Sequence, residues 1–254
     1  MPGQKPSAAS TPSAGMRLGG WLAIPDPLVV EAAGHTAFDW VGLDLQHGGW
    51  DLGTAFTGIQ ILDLMGKPVL VRVAEEELPL IPRVLDKGTS GIVVAMASTP
   101  ALVAAAVERA RYQPEGRRSY GGQRFGMRRE PADVAEVRPQ IYAMIEDRRG
   151  VDAIREIAAV PGLGGLHVGP VDLGLGLGLG MRREQPAFRK ALDAILDAGH
   201  ANGLTVTMHA VTADQVPAMQ ELGFDEVVLT ADIELLRRAM AGIVAAARTA
   251  LAAA

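Results

Sequence analysis

Four polar segments close four apolar runs in this chain, and their residue types suit metal-assisted acid–base chemistry on an anion. They are Asp44-Leu45-Gln46-His47 after WVGL, Arg72 inside VLVRV, Glu146-Asp147 after IYAMI, and Gly169-Pro170-Val171-Asp172 after LGGLHV. Glu146 and Asp172 are two carboxylates that, with water completing the shell, make a hard oxygen site for Mg²⁺ or Mn²⁺, and Co²⁺ is also accommodated. A structural zinc site would want more histidine or some cysteine, and the chain has no cysteine. His47, three residues after Asp44, has the spacing of a general base held by a carboxylate. Arg72 interrupts an apolar strand. Burying it unpaired is costly, so it faces an anion, pairs with Asp44 or Glu146, or does both. Its planar fork matches a carboxylate.

Plainer readings stand beside these. Asp147 reads as the cap of a helix over 148–159, and Asp172 could cap a turn. His47 could be a surface histidine, and Trp21 a core residue rather than a pocket wall. His167, between Leu166 and Val168, reads as packed, whereas His209 ends a strand and faces the same mouth. Met65, Met96, Met144 and Met219 read as core filler.

The elements that must position these groups alternate along the chain. Strands are expected at 17–24, 40–45, 67–73, 91–96, 140–146, 164–169, 204–209 and 226–231. Helices are expected at 27–37, 52–65, 77–87, 99–111, 148–159, 185–202, 212–222 and 232–252. Eight β–α pairs in 254 residues predict a (β/α)8 TIM barrel, whose ligands bind at the C-terminal ends of the strands. The first strand leads into Ala23-Ile24-Pro25-Asp26-Pro27 rather than a glycine-rich phosphate turn, and GLGLGLG at 174–180 is plain alternation, so no dinucleotide fingerprint is read. The domain is expected to span 16–254 after a disordered tail over 1–15. The 112–130 loop is long and carries five arginines. Such loops serve as lids, solvated surface or subunit contacts.

Composition narrows the class. Net charge is −5 and the pI about 5.6, with no basic face for nucleic acid. The N-terminal stretch has no apolar core of a secretory signal, no run suits a membrane span, and the lack of cysteine fits a cytoplasmic setting.

Seven segments in order, GGWLAIPDP, FDWVGLDLQHG, PVLVRV, LDKGTSGIVVAM, ERARYQPEGRRSYGG, AMIED and GLGGLHVGPVDLGLGLG, resemble the HpcH/HpaI aldolases, metal-dependent class II pyruvate aldolases of the phosphoenolpyruvate/pyruvate superfamily. The resemblance runs from about Gly19 to Met240. It implies Glu146 and Asp172 as metal ligands and His47, held near Asp44, as general base. Arg72 would stabilise the pyruvate enolate, and the backbone of Gly169, Pro170, Val171 and Asp172 would take the pyruvate carboxylate. Trp21, Gln46 and His209 would line the pocket. The implied reaction makes or cleaves 4-hydroxy-2-oxo acids from pyruvate or hydroxypyruvate and an aldehyde. The implied assembly is a hexamer, a trimer of dimers, with the last helix exchanged between neighbours. Three positions depart from the family pattern. Gln46 stands where a glutamate is usual, Met144 where a glutamine is usual, and His209 where an apolar residue is usual. These bear on the aldehyde more than on pyruvate. A CoA-thioester lyase like the citrate lyase β subunit, or a barrel without catalysis, are the competing readings; the D-x-x-H-G motif favours the aldolase.

Overall fold

The computed structural model describes residues 15–121, 123–128 and 137–253. The expected tail lies outside them except for Gly15. The strands are β1 (Arg17–Leu22), β2 (Trp40–Asp44), β3 (Val69–Val73), β4 (Gly91–Val94), β5 (Gln140–Ile145), β6 (Gly165–Val168), β7 (Thr205–Val211) and β8 (Glu226–Leu229). They pair in parallel and in chain order, and β8 closes on β1, so the expected barrel is the observed one.

The helices are α1 (Pro27–Gly34), α2 (Leu52–Leu64), α3 (Ile81–Leu85), α4 (Pro100–Ala110), α5 (Gln123–Arg128), α6 (Arg148–Asp152), α7 (Ile154–Ala158), α8 (Pro170–Gly176), α9 (Pro186–Ala201), α10 (Val216–Leu222) and α11 (Asp232–Ala252). Local chemistry sets their starts. Asp26 caps α1 and is followed by Pro27, Asp51 and Thr54 form a reciprocal capping box on α2, and Thr99 caps α4 ahead of Pro100. Asp147 caps α6 by accepting from the Gly150 N–H at 2.7 Å, which supports its plainer reading.

Two expected helices and one expected loop differ in detail. The 77–87 helix is a 3-10 segment, Glu75–Leu80, followed by α3, because Pro79 inside the first piece cannot supply a helical N–H. The 148–159 helix breaks at Ala153, whose backbone (φ −96°, ψ 12°) leaves the helical region. The 174–180 loop is helical as far as Gly176, within α8.

The apolar side chains form two bodies. One fills the space between strands and helices, from Val30 and Ile59 round to Ile195 and Val227. The other is the barrel's own interior, with Trp21, Trp40, Leu70, Val93, Tyr142, Met144 and Val228. The interior needs a glycine at 42: a Cβ there would lie 2.3 Å from the Trp21 ring on the neighbouring strand. At the N-terminal end of the barrel Glu226, fully buried, pairs with Arg17 and accepts from Thr207 Oγ1 at 3.0 Å.

The arginine-rich loop folds back on the barrel. Arg118 is buried, pairs with Asp86 at 2.7 Å and lies over the Tyr112 ring, and Arg124 pairs with Asp63 at 2.5 Å. By contrast, α11 has no buried residue, and Ile233, Leu235, Leu236, Met240, Ile243 and Val244 are all exposed along it.

Candidate active site

The barrel places all four polar segments at one mouth. Asp44 ends β2 opposite Arg72 of β3, a register partner. Arg72 Nε donates to Asp44 Oδ1 at 2.8 Å and its Nη2 to Oδ2 at 2.5 Å, with both side chains buried. Burial by itself would raise the Asp44 carboxyl. The Arg72 hydrogen bonds and charge, helped by the His47 backbone N–H and the Trp21 indole, hold it below the usual carboxylate range. Removing either partner would leave an uncompensated buried charge, a cost of about 3–5 kcal/mol.

Arg72 thus pairs with Asp44, one of the outcomes its place in an apolar strand allowed, and its Nη1 lies 3.9 Å from the Met144 sulfur. One expectation changes here. Asp44 does not hold the His47 ring. Asp44 Oδ1 accepts from the backbone N–H of His47 at 3.1 Å and of Gln46 at 3.2 Å, so it shapes the turn that carries them. The His47 ring is exposed and has no hydrogen-bond partner among the described residues. Gln46 Oε1 is buried with no partner, an acceptor left unmet beside the same turn.

Glu146 follows β5 and is buried, and Met96 N–H donates to its Oε2 at 2.8 Å. Met96 supplies that donor from a left-handed backbone (φ 49°), which non-glycine residues rarely adopt, so the turn after β4 is strained where it meets the carboxylate. The sequence had marked Met96 only as filler. Gly169, the residue before α8, allows the approach: a Cβ there would lie 2.6 Å from Glu146 Oε1. Asp172 sits in the first turn of α8. Burial pushes the Glu146 carboxyl up to about 7; the Asp172 charge and hydrogen bond add to this, against the Met96 N–H and Arg72. Two carboxylates forced together, one of them buried, are a donor set that a divalent cation would relieve. Among the described residues no group of three or more histidine, cysteine or acidic side chains converges, so such an ion would be held by these two and by water.

The N–H groups of Val171 and Asp172 lie in the first turn of α8, where a helix offers them no acceptor. Trp21 is a buried wall: its indole N–H reaches Asp44 Oδ2 at 3.3 Å and the Arg72 guanidinium lies 5.5 Å from its ring. His209 meets Trp21 edge-on at 4.6 Å and touches His167, so the histidine expected at the mouth and the one expected to be packed are neighbours. The described lysines lie elsewhere: Lys67 donates to the Thr36 and Phe38 carbonyls at the start of β3, Lys87 rests on the Phe56 ring, and Lys190 is on α9.

With this geometry in place, the similarities to known proteins are specific. The model of the HpcH/HpaI aldolase/citrate lyase family matches residues 17–250. A hydroxypyruvate/pyruvate aldolase of Rhizorhabdus wittichii is 30% identical over 91% of this chain and 94% of its own length. A 5-keto-4-deoxy-D-glucarate aldolase of Klebsiella pneumoniae is 30% identical over 88% of this chain and 89% of its own. The crystal structure of an HpcH/HpaI aldolase/citrate lyase family protein from Burkholderia cenocepacia superposes with a TM-score of 0.84 at 30% identity, over 92% of this chain and 95% of that one. This protein belongs to the HpcH/HpaI aldolase/citrate lyase family.

Proposed function

We propose that this carbon–carbon lyase makes or cleaves 4-hydroxy-2-oxo acids, joining the enolate of pyruvate or hydroxypyruvate to an aldehyde. The observation that carries the reading is the buried Glu146 carboxyl beside Asp172, at the mouth that also holds Arg72. A divalent cation (Mg²⁺, Mn²⁺ or Co²⁺) held by Glu146 and Asp172 would supply Lewis-acid polarisation of the 2-oxo oxygen. The chain's own residues do the rest. The first-turn N–H groups of α8, at Val171 and Asp172, take the substrate carboxylate, with Gly169 and Pro170 shaping the turn. Arg72 Nη1 faces the oxygen on which enolate charge develops. Asp44 fixes Arg72, and through the turn it fixes where His47 stands. The exposed His47 ring moves the proton at the 4-hydroxyl or at the methyl carbon. Trp21, Gln46 and His209 bound the space left for the aldehyde.

The exposed apolar residues along α11 support a homo-oligomer in which this helix packs on a neighbouring copy, and we read a hexamer built as a trimer of dimers. No helix among the described residues is long and apolar enough to cross a membrane, and a cytoplasmic setting is part of the proposal.

The test is turnover of pyruvate and hydroxypyruvate with a panel of aldehydes. EDTA should abolish it and Mn²⁺, Co²⁺ or Mg²⁺ should restore it. Borohydride with pyruvate should leave the enzyme active, because the described lysines lie away from the mouth. Covalent trapping on a lysine would overturn the reading.

A further inference from the structure

His209, given above only a place on the wall, is held by a second histidine that the reaction does not use. His167 on β6 is fully buried, and its Nε2 lies 3.0 Å from Nδ1 of the half-buried His209 on β7. The rings are 5.2 Å apart, and the Trp21 ring meets His209 edge-on at 4.6 Å.

Two ring nitrogens at that distance share one proton, since one must donate and the other accept. The outer nitrogens decide which. His167 Nδ1 is buried with no partner. An orphaned buried N–H is rarer than an unmet buried acceptor. The bare nitrogen therefore falls at His167 Nδ1 and the proton at His167 Nε2, which donates to His209 Nδ1. The His209 proton is then on Nε2. That nitrogen has no partner among the described residues, and His209 is one of the residues around a cavity of about 250 Å³ that Pro170, Arg183, Phe188, Arg189, Met208 and Gln215 also line. Both rings are neutral: burial and the Arg72 charge push His209 down to about 3, and burial, His209 and Arg72 hold His167 well below its usual value.

We propose that His167 is a positioning residue that locks His209 in its Nε2–H tautomer, and that His209 uses this outward donor to select aldehydes bearing a hydroxyl oxygen over their deoxy counterparts. This rests on the aldolase reading above and deepens it. A site built to hydrogen-bond a substrate hydroxyl rejects the analogue that lacks it, because the protein group is left unpaired.

The experiment compares kcat/KM for glyceraldehyde and propanal, which have equal carbon skeletons, using pyruvate and the metal-loaded enzyme. His209→Leu should lower the glyceraldehyde:propanal ratio by roughly tenfold or more, a modest part of the discrimination that sites built to bond a substrate hydroxyl reach. His167→Phe should lower it in the same direction. His167→Gln, whose amide N–H can stand near the lost Nε2–H, should restore it; a merely space-filling role would favour Phe over Gln. Nitrogen NMR of histidine-labelled wild-type enzyme should show His209 protonated at Nε2 and bare at Nδ1, a readout that needs no variant to fold. A ratio unmoved within about threefold by His209→Leu, or the opposite His209 tautomer, would overturn the proposal. Deuterium exchange into the pyruvate methyl by wild-type enzyme is the control: if exchange is present while the ratio is unmoved, the selection is wrong and the aldolase reading stands; if exchange is absent, the aldolase reading itself fails.

Discussion

The Asp44 carboxylate holds the Arg72 side chain but only the backbone N–H of His47. Arg72 gives Nε and Nη2 to Asp44, and its Nη1 lies 3.9 Å from the Met144 sulfur. Arg72→Lys should therefore fail twice: an ammonium cannot span both Asp44 oxygens and still reach the substrate oxygen. We expect kcat to fall by more than tenfold and the melting temperature to drop, measurable by steady-state kinetics and thermal denaturation. His47→Ala should cost on the order of 10²-fold in kcat, as loss of a general base does, with Mn²⁺ affinity unchanged in calorimetry if Glu146 and Asp172 alone hold the ion. Near-normal rates in both variants would place the proton transfer elsewhere. Asp44, Arg72, Glu146 and Asp172 were legible in the sequence because each is a polar residue at or near the end of an apolar strand. Asp44 was one of the two partners the sequence allowed Arg72, and β2–β3 register decides between them; the His167–His209 contact was not legible, because it joins residues 42 positions apart on neighbouring strands.

The elements around Glu146 show how backbone conformation positions a side chain. Met96 offers its N–H from a left-handed turn, and Gly169 leaves room for the carboxylate. Gly169→Ala should push a methyl to within 2.6 Å of Glu146 Oε1. The expected result is weaker Mn²⁺ binding, by about tenfold or more, with the fold kept; circular dichroism and calorimetry would check the two halves. Unchanged affinity would mean Glu146 is not a ligand. Strand positions were legible from apolar runs bounded by polar or glycine residues. Helix continuity was less so: a proline at 79 and an irregular Ala153 divide segments whose composition still reads as helical. Nothing in the types of residues 95–97 marks the turn at Met96, because its conformation is imposed by the strands and Glu146 around it.

The whole molecule is a closed barrel with a polar mouth, and its stability should depend on pH through the two histidines. His209 is pushed from its usual value near 6.5 down to about 3 and His167 also lies well below, so the folded chain holds both rings neutral while the unfolded chain takes up protons below about pH 6.5. The unfolded state then binds more protons, so this contribution is present above that pH and is lost as pH falls toward about 3. Glu146, pushed up to about 7, takes up a proton in the folded chain over the same range and works in the opposite direction, so the test is a difference: between about pH 7 and pH 5 the melting temperature of a His167→Phe/His209→Leu double variant should change more favourably than that of the wild type. Equal changes would show that the rings are not buried neutral. The barrel itself was legible because eight strand–helix pairs leave few other topologies. Where α11 settles was not, because its apolar residues stay exposed among the described residues. Removing residues 232–254 should reduce the particle mass in sedimentation velocity to that of a smaller species; an unchanged assembly would mean that α11 takes no part in it.

The central claim is that a divalent cation on Glu146 and Asp172, beside Arg72, activates pyruvate for carbon–carbon bond chemistry. Proton NMR of pyruvate in D2O tests it most directly, without any choice of aldehyde. The wild-type enzyme with Mn²⁺ or Mg²⁺ should exchange the methyl protons, EDTA should stop the exchange and added cation should restore it, and Glu146→Gln should not exchange at all. Exchange that persists in Glu146→Gln or through chelation would contradict the account.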